Sequence, residues 1–513
     1  MNSSMTLRWS ALIIGSLFGA PIGTAFAAAP DMVRDLASRV GPIVGQASAC
    51  PDIAQGRVQT IVDKFREAIR QASNNDSERD QLTRTFNGYI AEGRSRSGAA
   101  QANCPAAERQ LTDLERSLSQ PAAAATPSQT RADATTGAVT SAPVRGITDR
   151  EIRFGMVLPF SGIRKETGRQ MRQGIEAAFA RANDAGGVNG RTLRLVAADD
   201  GYDPNRTLAA MTQLYDKEQV FGFIGNIGTA NSEVAIPYAL ERRALYFAPN
   251  SGAAVVRRDP PDRYVFNYRA SYAEETAALV RYLVKMKRIP PKQIAVLTQQ
   301  DAFGDDGFAG VAKAYRQLNI PDPVTRFSYP RATMDVDEAI AQVKAHKGGL
   351  KAIIMVATDR AAAKFIEKTR DAVPGLIYAN VSAVGSTSLA TELKLLGPRF
   401  TNGVIVTQGV PAVSGYSSLV LDYKNSLAKY APGEAPDYTS LEGYIAATIL
   451  IQALKQTNPL DTERLVDTLE SMRSLDLGLG TPLAFGRAEH QASHKIWGTA
   501  LDENGTYQAI ELE

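Results

Sequence analysis

Two short polar loops carry the residue types best suited to hold a small ligand. Gly225–Ser232 and Ala248–Gly252 each follow an apolar run of the chain. In open α/β sheets, loops at strand ends present backbone N–H groups at helix N-termini to a ligand. The first loop opens a helix, and Asn231 or Ser232 is placed to be its N-cap. The other interpretation is that the polar residues of both loops only form turns and caps.

Catalytic chemistry has few candidate residues. The chain holds three histidines and two cysteines, and it lacks the G-x-S-x-G, G-x-x-x-x-G-K-[ST] and H-E-x-x-H motifs. His490 and His494 are four residues apart, but the Gln-Ala-Ser between them supplies no base. Asp199 and Asp200 adjoin at a strand end, where neighbouring side chains point to opposite faces and do not form a dyad. We therefore predict that the protein is not an enzyme and uses no metal or cofactor.

Alternating strands and helices are needed to position these loops. Between Glu151 and Pro204 an apolar strand, a Pro-Phe-Ser-Gly turn, an amphipathic helix, a glycine-rich turn and a second strand follow one another. Such a β-α-β unit requires a parallel sheet, and its repetition predicts doubly wound α/β sheets. The predicted strands are Ile152–Leu158, Thr192–Ala198, Val220–Ile224, Ala244–Ala248, Gln293–Thr298, Lys351–Val356, Gly375–Asn380 and Gly403–Thr407, then Leu483–Phe485 and a hairpin of Lys495–Leu501 and Tyr507–Glu511.

The sequence of this unit resembles that of the type I periplasmic binding proteins, the Leu/Ile/Val-binding family of ABC transporters. The marks are the AGGVNGR turn at Ala185–Arg191 and the acid pair that precedes Asp203-Pro204. The resemblance extends from Ile147 to the C-terminus. It implies two α/β lobes with parallel doubly wound sheets, joined by crossings near Val265–Ser271, Thr407–Ala412 and Arg473–Thr481. It also implies a solute-binding protein that captures a small polar ligand in the interlobe cleft, with an ABC permease in the inner membrane as its partner.

The resemblance also implies a set of ligand-binding residues, with an amino-acid-like molecule or another carboxylate or amide as the ligand. These residues are Ser161, Thr229, Ala230, Asn231, Asn250, Ser251, Gly252, Phe303, Thr358 and Ser382. Amino-acid binders of the family have a tyrosine and an acid where this chain has Thr358 and Ser382, so Asp301 or Asp359 is the expected source of negative charge. Arg164 and Lys165 stand where the family has small or apolar residues, which predicts either an anionic ligand or two solvated charges on a turn.

The N-terminus predicts export to the periplasm. Arg8, the apolar run Ala11–Ala20 and the small residues of Ala25–Ala27 form a signal peptide over residues 1–27. No cysteine adjoins the cleavage site, and no later run of about 18 apolar residues occurs, so neither a lipid anchor nor stable membrane insertion is expected. The net charge of +3 is too small to indicate a nucleic-acid partner.

Residues 31–118 read as a small all-α module that precedes the α/β domain. Cys50 and Cys104 are an even pair in an oxidising compartment, which predicts a disulfide, although two buried free thiols are the alternative. Residues 119–146 are rich in Ala, Thr, Ser and Pro and read as a flexible linker, so the binding domain spans 147–513. Apolar stripes at helical spacing recur in the module, with a break predicted at Gly93–Gly98. Its partner is unknown, and the stripes form either its own core or a partner groove.

A second class of function is open. The order of a helical domain before a binding-protein-like domain also resembles the lipoprotein activators of peptidoglycan synthases and the ligand-sensing partners of membrane receptors. In that case the protein is an envelope component without a transport role.

Overall fold

The computed structural model describes residues 30–73, 75–98, 104–119, 144–346 and 349–512. Contacts divide the chain into two compact units, one up to residue 138 and one from residue 139 onward. The predicted signal peptide at 1–27 and residues 120–143 of the predicted linker lie outside the described residues. Within the described ranges, no helix has the length and apolar character needed to cross a bilayer.

The first unit consists of four described helices around one apolar core. They are α1 (Pro30–Ser48), α2 (Gln55–Ala72), α3 (Asp76–Gly98) and α4 (Cys104–Ser119). Phe65 of α2 stacks on Phe86 of α3 with ring centres 4.3 Å apart, so the predicted stripes form the core of this unit. Cys50 and Cys104 form the predicted disulfide, with Cα atoms 5.7 Å apart. The bond joins the start of α4 to the connection between α1 and α2.

The break predicted at Gly93–Gly98 is wrong, because α3 continues to Gly98. Glycine costs a helix about 1 kcal/mol relative to alanine, but here it allows two backbones to approach. A Cβ on Gly93 would lie 2.3 Å from the carbonyl oxygen of Pro42 in α1, and one on Gly45 would lie 2.2 Å from the carbonyl oxygen of Ile90 in α3. Close packing of α1 on α3 therefore explains glycines that resemble a loop signal.

The second unit is an α/β structure of two lobes. The first lobe has an all-parallel sheet in the order β2-β1-β3-β4-β5, and the second has a sheet in the order β12-β11-β10-β9-β8-β6-β7. The strands are β1 (Glu151–Leu158), β2 (Thr192–Asp199), β3 (Gly222–Ile224), β4 (Leu245–Phe247), β5 (Val265–Phe266), β6 (Ile294–Gln300), β7 (Thr325–Pro330), β8 (Ala352–Val356), β9 (Ile377–Asn380), β10 (Ile405–Gln408), β11 (Trp497–Leu501) and β12 (Tyr507–Ile510). The predicted two-lobed α/β fold is confirmed.

Helices cover both sheets. Those of the second unit are α5 (Lys165–Asp184), α6 (Pro204–Asp216), α7 (Thr229–Glu241), α8 (Tyr272–Arg281), α9 (Ala302–Gln317), α10 (Asp337–Ala345), α11 (Asp359–Arg370), α12 (Ser386–Leu396), α13 (Pro398–Thr401), α14 (Ser418–Tyr430), α15 (Tyr438–Gln456) and α16 (Thr462–Ser471). Helices α14 to α16 return to the first lobe, where α15 packs along α5. The predicted C-terminal hairpin is present, because β11 and β12 pair antiparallel.

The third crossing between the lobes lies later in the chain than predicted. Leu475, Leu477 and Leu483 belong to the core of the first lobe, so the chain has not yet left that lobe at the predicted Arg473–Thr481. Leu483–Phe485 forms only an isolated bridge instead of the predicted strand. The crossing follows His490, where residues 491–493 run beside the first crossing at residues 267–268 before β11 begins.

Candidate ligand-binding cleft

The loop after β3 begins its helix earlier than predicted. Helix α7 starts at Thr229 with Gly228 as its N-cap, so the prediction that Asn231 or Ser232 caps it is wrong. Gly228 has φ 109°, a conformation that glycine adopts readily and that turns the chain into the helix three residues sooner. The Asn231 amide, freed from capping, donates hydrogen bonds to Asp200 Oδ2 (3.0 Å) and Thr207 Oγ1 (2.8 Å).

The two predicted loops of the first lobe meet at their hydroxyls. Thr229 Oγ1 and Ser251 Oγ are 2.9 Å apart, and both residues are buried. The neighbouring Asn250 is also buried and ties its loop to the first one, since its backbone N–H donates to the Asn226 carbonyl at 2.7 Å. Gly252 lies against Tyr272, where a Cβ would approach the ring to 2.5 Å. Ala230 is half-buried between its two neighbours in α7.

Asp199 and Asp200, at the end of β2, bind different partners, as expected for neighbouring residues whose side chains point to opposite faces. Asp199 accepts hydrogen bonds from the Ser161 hydroxyl (2.7 Å), from the backbone N–H of Gly201 and Phe160, and from Arg206. Burial alone would raise the pKa of Asp199, but these donors outweigh it and hold the pKa below its usual range. Ser161 is exposed, and its hydroxyl is engaged by this carboxylate.

Arg164 is buried and reaches from the first lobe to the second. Its guanidinium donates to the carbonyl oxygens of Ala383 (2.9 Å) and Val384 (3.4 Å) and lies 3.5 Å from Asp359 Oδ1. The solvated-turn interpretation is therefore wrong for Arg164, whereas Lys165 is exposed. Burial raises the pKa of Asp359, and the positive charge of Arg164 lowers it less strongly.

Arg331 makes the reciprocal contact from the second lobe. It donates to the Tyr202 carbonyl (2.9 Å) and to Asn231 Oδ1 (3.2 Å), and its Nε lies 3.3 Å from Asp301 Oδ2. The Arg331 guanidinium also lies over the Tyr202 ring, 4.7 Å from its centre. Arg331 and Tyr202 were not identified from the sequence. The sequence feature that could have identified Arg331 is the polar loop after β7, a strand that the apolar runs did not reveal.

The predicted residues of the second lobe have separate partners. Ser382 donates its N–H (2.7 Å) and its hydroxyl (2.9 Å) to Glu275, and it accepts a hydrogen bond from Arg269. Phe303 packs on Tyr272, with ring centres 4.9 Å apart. The Thr358 N–H donates to the hydroxyl of Tyr329 at 3.0 Å, just before Asp359 begins α11.

A cavity of about 10 Å³ lies between the lobes beside the crossings, with room for about one water. Asn250 and Ser382, among the predicted ligand residues, line it. Among the described residues that line it, Glu442 of α15 is the only carboxylate and Arg164 the only guanidinium. The described lining residues are Arg164, Thr167, Asn250, Ser382, Ala383, Gly385, Gln408, Gly409, Val410, Tyr438, Thr439 and Glu442. Within the described part of the chain, no group of three His, Cys, Asp or Glu residues is arranged to hold a metal ion.

Residues 151–506 match the family model described as periplasmic binding protein. The chain belongs to the type I periplasmic binding proteins. A possible leucine/isoleucine/valine-binding protein from Rhodopirellula baltica SH 1 is 35% identical, with a TM-score of 0.67 over 72% of this chain and 98% of that one. The amino acid binding protein of Pseudomonas aeruginosa is 22% identical over 63% of this chain and 83% of its own length. The Leu/Ile/Val-binding protein homolog 7 of Brucella abortus is 24% identical over 63% and 81%.

Proposed function

We propose that this type I periplasmic binding protein is an exported, non-catalytic solute-binding protein. It captures one small polar ligand between its lobes and delivers it to the permease of an ABC transporter. The observation that carries the proposal is a buried, charged cavity at the interlobe contact. Arg164 Nε and Arg269 Nη1 lie buried in or beside its walls without a hydrogen-bond partner among the described residues. Acceptor oxygens of a carboxylate or an amide suit such donors.

The size of the cavity requires the lobes to move. About 10 Å³ does not admit a molecule of amino-acid size, so the ligand enters when the lobes separate. The three crossings are the hinge, and the Arg164 and Arg331 contacts are broken and remade as the lobes open and close. Binding therefore replaces contacts within the protein by contacts to the ligand. The relatives from Pseudomonas and Brucella are an amino acid binding protein and a Leu/Ile/Val-binding protein homolog, which supports an amino-acid-like ligand.

Thermal-shift screening of the purified protein tests the proposal. Amino acids, amides and aromatic acids are the probes. A ligand at 100 times its dissociation constant adds about 2.7 kcal/mol to the free energy of unfolding. If no probe in these classes raises the melting temperature, the solute-binding function loses its support. The envelope-partner interpretation then becomes the better one.

Ser251→Ala locates the site once a ligand is known. Loss of a hydroxyl that bonds a charged ligand group should weaken binding by about 1–3 kcal/mol. Ser426→Ala is the matched control, because Ser426 is also buried in the first lobe but bonds Asp422 and Tyr444 in the packing of α14. Equal affinities of the two variants would place the ligand away from the Thr229–Ser251 pair.

A further inference from the structure

Glu442 is the only acid of helix α15, a helix that is otherwise apolar over most of its length and buried. Its carboxylate lines the cavity between the lobes, as does Asn250, whose amide lowers the pKa of Glu442. The nearest cation is Arg269, whose Nε lies 3.7 Å from Glu442 Oε1, beyond hydrogen-bond distance. A carboxylate oxygen accepts up to two hydrogen bonds, so Glu442 retains acceptor capacity.

The other buried acids beside the cleft are already engaged. Asp359 pairs with Arg164, and Asp301 pairs with Arg331 while it caps helix α9. These two acids were the sequence-based candidates for a ligand's positive charge, and each has an arginine of its own.

Glu275 is engaged as well. It accepts hydrogen bonds from the N–H and the hydroxyl of Ser382 and from Thr407 Oγ1, and it lies 3.6 Å from Arg269 Nη2. Arg269 is therefore shared by two carboxylates, Glu275 and Glu442. The trio carries one negative charge more than positive charge.

We propose that the ligand carries a protonated amine and that Glu442 is the specificity-determining residue that binds it. This inference depends on the proposed function. A buried carboxylate that lacks a full counter-charge gains a charge-assisted hydrogen bond from an ammonium group. The positive charge of the ammonium also balances the excess negative charge of Glu275, Arg269 and Glu442. Ser382 lines the same cavity without a charge of its own, and Glu442 supplies the negative charge there from the opposite lobe.

A pH dependence follows from the same geometry. Burial raises the pKa of Glu442, and Arg269 lowers it less strongly. Glu275 opposes the ionisation of Glu442, while the Asn250 amide and the more distant Arg257 favour it. An ammonium ligand binds the ionised carboxylate, so affinity should rise with pH through the raised pKa and then level off. A proton should be released on binding in the lower part of that range.

The test uses the full mature chain and three sets of probes in thermal-shift screening and calorimetry. The sets are the L-amino acids, their amides without a free carboxylate, and their N-acetyl derivatives without an ammonium. The first set, or the first and second together, should bind, and the N-acetyl set should not. Which of the two amine sets binds shows whether the ligand also needs its carboxylate.

Variants of Glu442 test whether this residue binds the amine of the ligand. Glu442→Gln should weaken binding of the amine probe at least tenfold and remove the proton release, and Glu442→Asp should restore part of the affinity. The control is Glu434→Gln, since Glu434 lies in the same lobe in a partly exposed pair with Arg169, and its affinity should stay within twofold. Should Glu442→Gln fail to fold, the comparison of N-acetyl and free amines on the unaltered chain still tests whether the ligand needs its ammonium group, and Glu442→Asp tests the residue.

Two results would overturn the assignment of Glu442. One is equal affinity of Glu442→Gln and the unaltered chain for an amine probe. The other is equal binding of N-acetylated and free amines. Either result leaves the solute-binding function standing. Failure of every probe, amines, acids and amides alike, would remove the proposed function itself.

Discussion

Replacing Arg164 by methionine tests the buried ion pair that joins the lobes. In the structure this arginine is 3% exposed and its partner Asp359 is 5% exposed, so the pair is almost free of solvent screening. Methionine retains the apolar stem and removes the charge together with the hydrogen bonds to the second lobe. Breaking a buried pair from one side typically costs about 3–5 kcal/mol, because the remaining charge is left without compensation.

The lower part of that range applies here. One of the two carbonyl contacts is long at 3.4 Å, and the pKa of Asp359 is already raised by burial, so this acid can take up a proton. We expect Arg164→Met to lower the free energy of unfolding of the second unit by about 3 kcal/mol at pH 8. The loss should shrink as the pH falls and Asp359 becomes neutral. The double variant Arg164→Met/Asp359→Asn should recover about 1–3 kcal/mol relative to additivity.

Urea unfolding followed by tryptophan fluorescence measures these free energies. Without the predicted signal peptide, Trp497 of β11 is the only tryptophan, so its signal reports the second unit. Arg172→Met is the control, because it breaks the exposed pair with Glu176 in α5 and should cost no more than about 0.5 kcal/mol. Equal losses for the two single variants, or strict additivity in the double variant, would refute the claim that Arg164 joins the lobes.

Two further predictions concern other parts of the chain. Replacing Cys50 and Cys104 by alanine should lower the free energy of unfolding of the first unit by about 4 kcal/mol, since the disulfide closes a separation of 54 residues. A free thiol in the denatured, unreduced protein would contradict the disulfide. The hydrogen bond with Glu274 raises the pKa of His494, so the stabilisation by its imidazolium is complete below about pH 6.5 and is lost as the pH rises through the raised pKa. The melting temperatures of the unaltered protein and of His494→Gln should therefore converge with increasing pH, and a constant difference would contradict the ion pair.

Local pattern was sufficient to predict most of the α/β scaffold. Buried parallel strands are continuous apolar runs, and the loops after them are short and polar, so Thr229 and Ser251 were placed at strand ends correctly. Strand β7 was not predicted, because Thr325–Pro330 is a half-exposed edge strand with polar residues. The third crossing was misplaced because leucines near 475–483 pack into the first lobe, and a single sequence does not reveal which of two cores a leucine joins.

The charged part of the cleft was not predictable in the same way. Arg269 and Glu275 flank the start of α8, whereas Glu442 comes from the distant α15, and nothing local shows that these charges are buried. One signal was present in the sequence, since Glu442 is the single acid in the apolar run of Tyr438–Gln456. A lone acid on a buried helix is expensive unless it is paired, which marks it as a site candidate.

The distance between the lobes, measured with and without ligand, tests the central claim most directly. Leu208 of the first lobe and Met334 of the second are both exposed, so Leu208→Cys and Met334→Cys provide one label site in each lobe. The two native cysteines are bonded to each other and do not take up label. Pulsed electron spin resonance should show the closed, short distance together with a longer one without ligand, and the short distance alone with a saturating amine probe. A distance distribution that does not change when the ligand binds would contradict capture between the lobes.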